Sequence, residues 1–244
     1  MAPHGLPDWG LVGPRQQTYG LDDVGEAVVR LGSPISYDRR GDVICYDDWD
    51  NGLNHAFSVT SGLGAAVDLT PDYAMHGPFC LRLTAGSNLL RTSLIQCYVP
   101  LRYETVAGFE AWFTIEPDTE SLTCDLVRDV AGARYIAGVR LTIAGGVLAY
   151  YDDTGAHVPI VAGLVFDNEL YHYHVLKLVV DFTTLEYVRV QFDGATHLLT
   201  GVPLFAGGGH MDARLRYGVT LIGDLATNAK SKIGLLVVTQ NEPT

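Results

Sequence analysis

The segment "YDDWDNG" (46–52) gathers three aspartates and an asparagine around one tryptophan. Asp47, Asp48, Asp50 and Asn51 carry oxygen atoms of the kind that bind calcium, but the segment lacks the glutamate that completes an EF-hand loop. Short polar side chains of this type also bond to their own backbone in turns. We predict a hydrogen-bonded turn with Trp49 packed on the end of the domain, and a structural calcium ion is the alternative.

Two glutamates in "FEAWFTIEP" (109–117) form the best carboxylate pair for cleaving a glycosidic bond. Glu110 and Glu116 are six residues apart, which is about 20 Å along a strand. Glycosidases hold their two carboxyl groups roughly 5–10 Å apart. We therefore predict no catalytic residue in this chain and interpret Glu110 as a residue at the edge or rim of a sheet.

The segment "YHYH" (171–174) places His172 and His174 on one side of a predicted strand, because alternate residues of a strand face the same way. No third metal ligand lies nearby in the sequence, so we predict partly exposed histidines and no metal.

The glycine-rich "AGGGHMD" (206–212) has neither the lysine nor the following helix of a phosphate-binding loop. We predict a flexible surface loop there and no bound cofactor.

Aromatic side chains offer a different kind of site, a platform on which sugar rings stack. An interface between subunits would use the same residues, since tyrosine is enriched in interfaces as well. Both interpretations stay open for the candidates Trp112, Tyr150, Tyr151, Tyr171 and Tyr173.

The elements that must position these residues are mostly strands. Residues 1–42 are rich in proline and glycine and predict an extended arm, with one short helix at about 21–31 that ends before Gly32 and Pro34. Residues 43–240 alternate between β-branched or aromatic residues and turn residues, which predicts about ten strands in a two-sheet antiparallel sandwich. Residues 241–244 are a C-terminal tail. The fold class is therefore all-β.

Composition excludes some partners. The formal net charge is −12 and the sequence has no basic run, so a nucleic-acid partner is not expected. No apolar run is long enough to cross a membrane as a helix. Only 18% of the residues are charged, where about 25% is usual, and this favours extra surface buried against other subunits.

The four cysteines are widely spaced, and no pair has the spacing of a zinc site. The N-terminal residues lack the pattern of a secretory signal, so we expect folding in a reducing cytoplasm with free, shielded thiols. A disulfide between Cys80 and Cys97, on adjacent strands of one hairpin, is the alternative.

Several phrases together resemble a known fold: "YDDWDNGLNHAF", "HGPFCLRLTAGS", "FEAWFTIEP" and the late "LKLVVDFTTLEYVRVQFDG". They are similar to the concanavalin A-like lectin/glucanase jelly roll, in the divergent form found in uncharacterised bacteriophage and metagenomic virion proteins. Binding modules of this fold often hold calcium between the opening acidic segment and an aspartate of the last strand. Gly234 and Leu235 occupy that place here, which argues against the ion.

The resemblance implies a non-enzymatic virion protein of a tailed bacteriophage, made in the host cytoplasm, that decorates the capsid or belongs to the tail. It implies self-association, as a trimer by analogy with capsid decorations. It also implies contacts with other virion proteins such as the major capsid or tail protein. A carbohydrate-binding module that recognises surface glycans is the alternative, and a glycoside hydrolase is a more distant one, because this fold carries many functions.

Overall fold

The computed structural model describes residues 41–50, 52–53, 56–60, 63–75, 77–86, 92–99, 105–130, 132–167, 172–208, 213–223 and 228–244. The chain divides into two compact units, 1–39 and 40–244, and every described residue belongs to the second. The predicted helix and all of the predicted arm up to residue 40 lie outside the described residues.

The described part of the chain contains sixteen strands. They are β1 (Asp42–Asp47), β2 (Ala56–Thr60), β3 (Ala66–Thr70), β4 (Cys80–Thr84), β5 (Thr92–Val99), β6 (Val106–Thr114), β7 (Thr119–Val130), β8 (Ala133–Thr142), β9 (Val147–Tyr151), β10 (His157–Val161), β11 (Tyr173–Asp181), β12 (Glu186–Phe192), β13 (Ala195–Leu198), β14 (Phe205–Gly208), β15 (Arg214–Gly223) and β16 (Lys230–Gln240).

The strands form two eight-stranded sheets. Sheet A has the order β13-β12-β11-β6-β16-β4-β3, with β1 also paired to β16. Sheet B has the order β10-β9-β8-β7-β15-β5-β2, with β14 also paired to β8. Every pairing between these strands is antiparallel. The predicted all-β, two-sheet antiparallel sandwich is confirmed. None of the described residues forms a helix that could span a bilayer.

The hydrophobic core lies between the two sheets, and alternation along each strand supplies it. Phe109, Ala111 and Phe113 of β6 point inward from sheet A, and Leu122 and Leu126 of β7 point inward from sheet B. The intervening residues of each strand therefore lie on the outer face of its sheet. This alternation gives the outer face of sheet B its polar residues.

Glu110 was predicted at an edge or rim, and this was wrong. Its strand β6 lies between β11 and β16, where Glu110 is opposite Lys177 and Val237. The side chain is 8% exposed and accepts a 2.6 Å hydrogen bond from Nε1 of Trp112. The two flanking strands come from distant parts of the chain, so the local sequence of β6 gives no sign that it is central.

The acidic segment after β1 forms the predicted turn. The Trp49 N–H donates to Oδ1 of Asp47 at 3.0 Å, and the Asp50 N–H donates to Oδ1 of Asp48 at 3.2 Å. The Gly52 N–H then closes the turn on the carbonyl of Trp49 at 3.1 Å. Trp49 itself is fully buried and belongs to the hydrophobic core. Asn51 lies outside the described residues.

The residues after β16 are anchored by a buried carboxylate. Glu242 is 3% exposed, and its two oxygens accept hydrogen bonds from Lys177 Nζ at 2.7 Å, Arg189 Nη2 at 2.8 Å and Thr239 Oγ1 at 2.5 Å. Its N–H donates to the carbonyl of Val106 at 3.1 Å. Lys177 and Arg189 are themselves buried, so this network joins β11, β12 and β16 on the outer face of sheet A.

The prediction of partly exposed histidines was wrong for His174, which is 2% exposed. Its Nδ1 lies 2.6 Å from Oδ2 of Asp193, and its Nε2 lies 2.8 Å from the carbonyl oxygen of Asp167. Since both partners are acceptors, both ring nitrogens donate, and the ring is an imidazolium. Burial alone would lower the pKa of His174, but these two hydrogen bonds raise it. His172 is exposed, and its ring lies 4.8 Å from the ring of His174.

His174 should make stability fall as pH rises. A group whose pKa is raised on folding contributes its full stabilisation below its unfolded pKa of about 6.5 and loses it as pH rises through the folded value. We expect His174→Gln to remove this pH-dependent contribution to the stability of the fold. Thermal unfolding of both proteins between pH 6 and 9 tests it, because the difference between the two curves isolates His174. A constant difference across this range would contradict the proposed charge.

The four cysteines are free, as predicted. Cys80 lies on β4 of sheet A and Cys97 on β5 of sheet B, so the alternative disulfide on one hairpin was wrong. Burial raises the pKa of Cys97 to about 11 and also raises the pKa of Cys124. These two thiols are therefore shielded and unreactive at neutral pH.

The glycine-rich segment at 206–212 was predicted as a flexible loop, and its first part differs from that prediction. Ala206, Gly207 and Gly208 belong to β14, which pairs with Tyr135 to Ala133 of β8. Residues 209–212 lie outside the described residues. Glycine has low strand propensity, but pairing with β8 overrides that preference in β14.

Candidate functional site

One polar residue between two glycines lies in a row of paired residues on the outer face of sheet B. Asp125 of β7 is opposite Gly138 of β8 on one side and Gly218 of β15 on the other. Gln96 of β5 is opposite Gly218 and extends the row. Both glycines are buried: side chains of Tyr151 and Asp125 lie close to Gly138, and the Ile95 carbonyl and the Gln96 side chain lie close to Gly218.

The ring of Tyr151 closes one end of this row. A Cβ atom placed on Gly138 would lie 2.1 Å from Cδ2 of Tyr151 and 2.6 Å from Oδ1 of Asp125. The ring and the carboxylate therefore both lie close above Gly138. His157 of β10 is opposite Tyr151, and the centroids of their rings are 4.2 Å apart.

Tyr187 of sheet A supports this arrangement from behind. Its hydroxyl accepts a 2.9 Å hydrogen bond from the Gly138 N–H and donates one of 2.9 Å to the carbonyl of Tyr151. Burial raises the pKa of Tyr187, so the hydroxyl stays protonated as a donor. The pairing of β8 with β9 ends at Val139 and Tyr150. The hydroxyl of Tyr187 thus links the next residues of the two strands, Gly138 and Tyr151.

A β-bulge directs Tyr187 into the core. Val180 is opposite Tyr187 while Val179 is opposite Arg189, so Val188 is the extra residue of β12. Simple alternation along β12 would place Tyr187 on the same face as Arg189, but the inserted residue reverses the face on which Tyr187 lies.

The carboxylate of Asp125 is enclosed. Its Oδ1 has no solvent exposure and no hydrogen-bond partner among the described residues. Burial raises the pKa of Asp125 to about 7, and the nearby Arg216 opposes this rise. At neutral pH the carboxyl group is therefore divided between its neutral and charged forms, which is a property often found at functional sites.

Four arginines flank β7 on the same face. Arg134 and Arg140 project from β8, and Arg214 and Arg216 project from β15. Asp129 of β7 binds two of them, Arg134 at 2.7 Å and Arg214 at 3.0 Å. Burial alone would raise the pKa of Asp129, but hydrogen bonds from these two arginines lower it. Asp129 is therefore charged and forms ion pairs with both Arg134 and Arg214.

The other two arginines have weaker partners. Arg140 Nη2 lies 3.8 Å from Oε1 of Glu120, whose side chain is 42% exposed. Arg216 Nη1 lies 3.5 Å from Oε1 of Gln96. We call the set of Asp125, Gly138, Gly218, Tyr151, Arg140 and Arg216 the Asp125 site. It combines a carboxyl group that titrates near neutral pH, two guanidinium groups and a partly exposed aromatic ring.

The candidates named from the sequence lie in several places. Tyr151 belongs to the Asp125 site, whereas Tyr150 points inward and contacts Tyr187 edge to face. Trp112 is buried on sheet A, and Tyr173 donates a 2.9 Å hydrogen bond to the carbonyl of Tyr73. Tyr171 lies outside the described residues.

The carboxylates named from the sequence are also dispersed. Glu110 lies on sheet A, and Glu116 accepts a 2.5 Å hydrogen bond from Lys232. Asp47 and Asp48 cap the turn after β1. Within the described ranges, no group of three or more His, Cys, Asp or Glu side chains could hold a metal ion.

Asp125, the central residue of the site, was not predicted from the sequence. In "SLTCDL" (121–126), Ser121, Thr123 and Asp125 alternate with three apolar residues, which is the pattern of a half-buried strand. That pattern identifies β7 and places Asp125 on its polar face. It cannot show that two glycines and two arginines from other strands surround the carboxylate.

No protein-family profile matches this chain, and no curated protein matches it in sequence. Solved structures do. A carbohydrate esterase from the Shiga toxin-encoding bacteriophage phi24B is 14% identical, with 82% of this chain and 99% of that chain covered and a TM-score of 0.54. The endo-β-1,4-glucuronan lyase of the fungus Trichoderma reesei is 11% identical, with 82% and 96% covered and a TM-score of 0.54.

A plant lectin gives the third comparison. Metal-free lectin I-B4 from Griffonia simplicifolia is 9% identical, with 79% of this chain and 96% of that chain covered and a TM-score of 0.50. Identities this low concern the fold alone. Together with the two antiparallel sheets, these likenesses establish that the chain has the concanavalin A-like lectin/glucanase jelly-roll fold.

Proposed function

We propose that this chain is a saccharide-binding domain and that the Asp125 site is where the sugar binds. The observation that carries the proposal is the group of polar side chains around Asp125. Its Oδ1 is buried with no hydrogen-bond partner among the described residues, and Arg140 and Arg216 are its diagonal neighbours on the flanking strands. Ligand sites place a small number of fixed polar groups among apolar and aromatic side chains. Tyr151 adds an aromatic ring on which the apolar face of a sugar stacks.

The names of the fold neighbours support the same class of ligand. They include a carbohydrate recognition domain, a carbohydrate esterase, a glucuronan lyase and a lectin. These activities belong to those proteins. For this chain they favour a saccharide over other small polar ligands that the Asp125 site would fit.

We propose binding without hydrolysis of the sugar. A two-carboxylate glycosidase needs a second carboxyl group roughly 5–10 Å from the first. Asp129 is four residues along β7 from Asp125, which is about 13 Å, and it is held by Arg134 and Arg214. Glu120, five residues away in the other direction, is farther still.

A virion role and self-association remain our proposals for the biological setting of this binding. They rest on the sequence resemblance and on the low content of charged residues. Glycan recognition by a tail or capsid-decorating protein would unite both interpretations of the sequence. Native mass spectrometry of the purified protein tests the self-association, and a monomer at micromolar concentration would contradict it.

Saccharide binding is tested by calorimetric titration with a panel of neutral and anionic oligosaccharides. We expect at least one member to bind, and Tyr151→Ala to weaken its binding by about tenfold, which corresponds to about 1.4 kcal/mol. Tyr73→Ala is the matched control, because Tyr73 is a partly exposed tyrosine that lies apart from sheet B. Absence of binding across the panel, or an equal effect of both substitutions, would contradict the proposal.

A further inference from the structure

The outer face of sheet B has a charge opposite to that of the chain. The formal net charge of the chain is −12, with sixteen lysines and arginines. Four of those residues nevertheless lie together on this face, from the two strands that flank β7. Their counterions on the face are Asp125, Asp129 and the more distant Glu120. Such a local excess of positive charge attracts anions.

The arginine pair of the Asp125 site is available to a ligand. Arg134 and Arg214 are neutralised in part by Asp129 at hydrogen-bond distance. Among the described residues, Arg140 lies 3.8 Å from Glu120, whose side chain is 42% exposed, and a partly solvated ion pair of this kind contributes about 0–1 kcal/mol. Arg216 has the long contact with the neutral Gln96. A bound anion would therefore displace little.

The strand register places the two guanidinium groups on either side of Asp125. Arg140 is opposite Thr123, two residues before Asp125, and Arg216 is opposite Val127, two residues after it. Diagonal neighbours on one face of a sheet are about 7–8 Å apart, within reach of long side chains. The planar fork of arginine matches the oxygens of a carboxylate or a similar anion.

We propose that the saccharide bound at the Asp125 site is anionic, with its charged group held between Arg140 and Arg216, and that Asp125 takes up a proton when it binds. This rests on the proposed function and assigns its ligand class. A uronate carboxylate and a sulfate ester share the required chemistry.

Proton uptake follows from the position of Asp125. An anion beside a second carboxylate favours the neutral form of that carboxyl group. The neutral carboxyl group no longer repels the anion that Arg140 and Arg216 hold. The groups that face Asp125 from the neighbouring strands are Arg140, Arg216, Tyr151, His157 and Gln96. Burial lowers the pKa of His157, so this ring stays neutral above pH 7.

The coupling sets the sign of the pH dependence. Burial places the pKa of free Asp125 at about 7, and the bound anion raises it. Affinity is therefore constant well below pH 7 and falls above it, by up to tenfold per pH unit until the pKa of the complex is passed. A neutral sugar would not show this decline, since it does not oppose the charge of Asp125.

The test is a calorimetric titration at pH 6.5, 7.5 and 8.5 with three ligands of equal length: an oligoglucuronate, a neutral β-glucan oligosaccharide and a sulfated form of that neutral oligosaccharide. We expect an anionic ligand to bind at least tenfold more tightly than the neutral one at pH 6.5. Arg140→Gln and Arg216→Gln should each lower the affinity for the anion about tenfold. Asp125→Asn should flatten the pH dependence.

Controls separate the proposal from loss of folding. Arg82→Gln removes an arginine that pairs with Asp68 on sheet A, and it should change the affinity for the anion less than twofold. Arg140→Lys keeps the charge and should retain part of the affinity that Arg140→Gln loses. Circular dichroism verifies the fold of every variant.

The outcomes are distinct. Tighter binding of the sulfated ligand, with the same dependence on Arg140 and Arg216, supports the anion site and identifies sulfate as its ligand. Equal or tighter binding of the neutral ligand overturns the anion site while leaving saccharide binding intact. An unchanged pH dependence in Asp125→Asn overturns the proton uptake. Binding of none of the three ligands overturns the proposed function itself.

Discussion

Replacing Trp49 by alanine is expected to lower the free energy of unfolding by about 3–5 kcal/mol. Trp49 is fully buried and belongs to the core, so the substitution removes its apolar area and leaves a cavity. Its backbone has φ = 69°, which is uncommon for a bulky residue. Urea denaturation of the two proteins measures the difference.

Trp49→Phe is the matched variant. Phenylalanine keeps most of the buried apolar area, and it removes the indole Nε1, which is buried without a hydrogen-bond partner among the described residues. We therefore expect Trp49→Phe to cost less than half as much as Trp49→Ala. A loss below about 1 kcal/mol for Trp49→Ala would show that the core does not depend on this side chain.

Glu242→Gln should have an effect of similar size. Removing one partner of a buried ion pair costs about 3–5 kcal/mol, because the opposite charge loses its counterion. Glu242 is the anion that Lys177 and Arg189 share, and all three residues are at most 3% exposed. Glutamine keeps the shape and lacks the charge, so the comparison isolates the electrostatic contribution.

The control for Glu242→Gln is Glu120→Gln, which removes a carboxylate that is 42% exposed. That change should alter the free energy of unfolding by less than about 0.5 kcal/mol, as is usual for surface substitutions. Urea denaturation at pH 7 measures both variants. Equal stability of Glu242→Gln and the unchanged protein would contradict the role given to the buried network.

The sequence predicts the sandwich because the pattern that identifies each strand lies within a short segment of the chain. Runs such as "YHVLKLVVDF" (173–182) and "KIGLLVVT" (232–239) are rich in β-branched residues, and they correspond to β11 and β16. The turn after β1 is local as well, since Asp47 and Asp48 bond to backbone groups two residues away. Patterns within ten residues were sufficient for these features.

The site could not be predicted in the same way because its residues come from different strands. Asp125, Gly138 and Gly218 meet only through the order of strands in sheet B. Tyr187 reaches Gly138 from sheet A, and its direction depends on a bulge that simple alternation does not reveal. The buried position of Glu110 likewise depends on strands formed far along the chain.

The central claim is that a saccharide binds on the outer face of sheet B. Amide chemical-shift mapping by NMR, with the tightest-binding oligosaccharide of the panel, tests it most directly. We expect the largest shifts at residues 123–127, 138–140, 151 and 216–218. Shifts concentrated on sheet A, or on the turn at 47–53, with the Asp125 site unchanged, would contradict it.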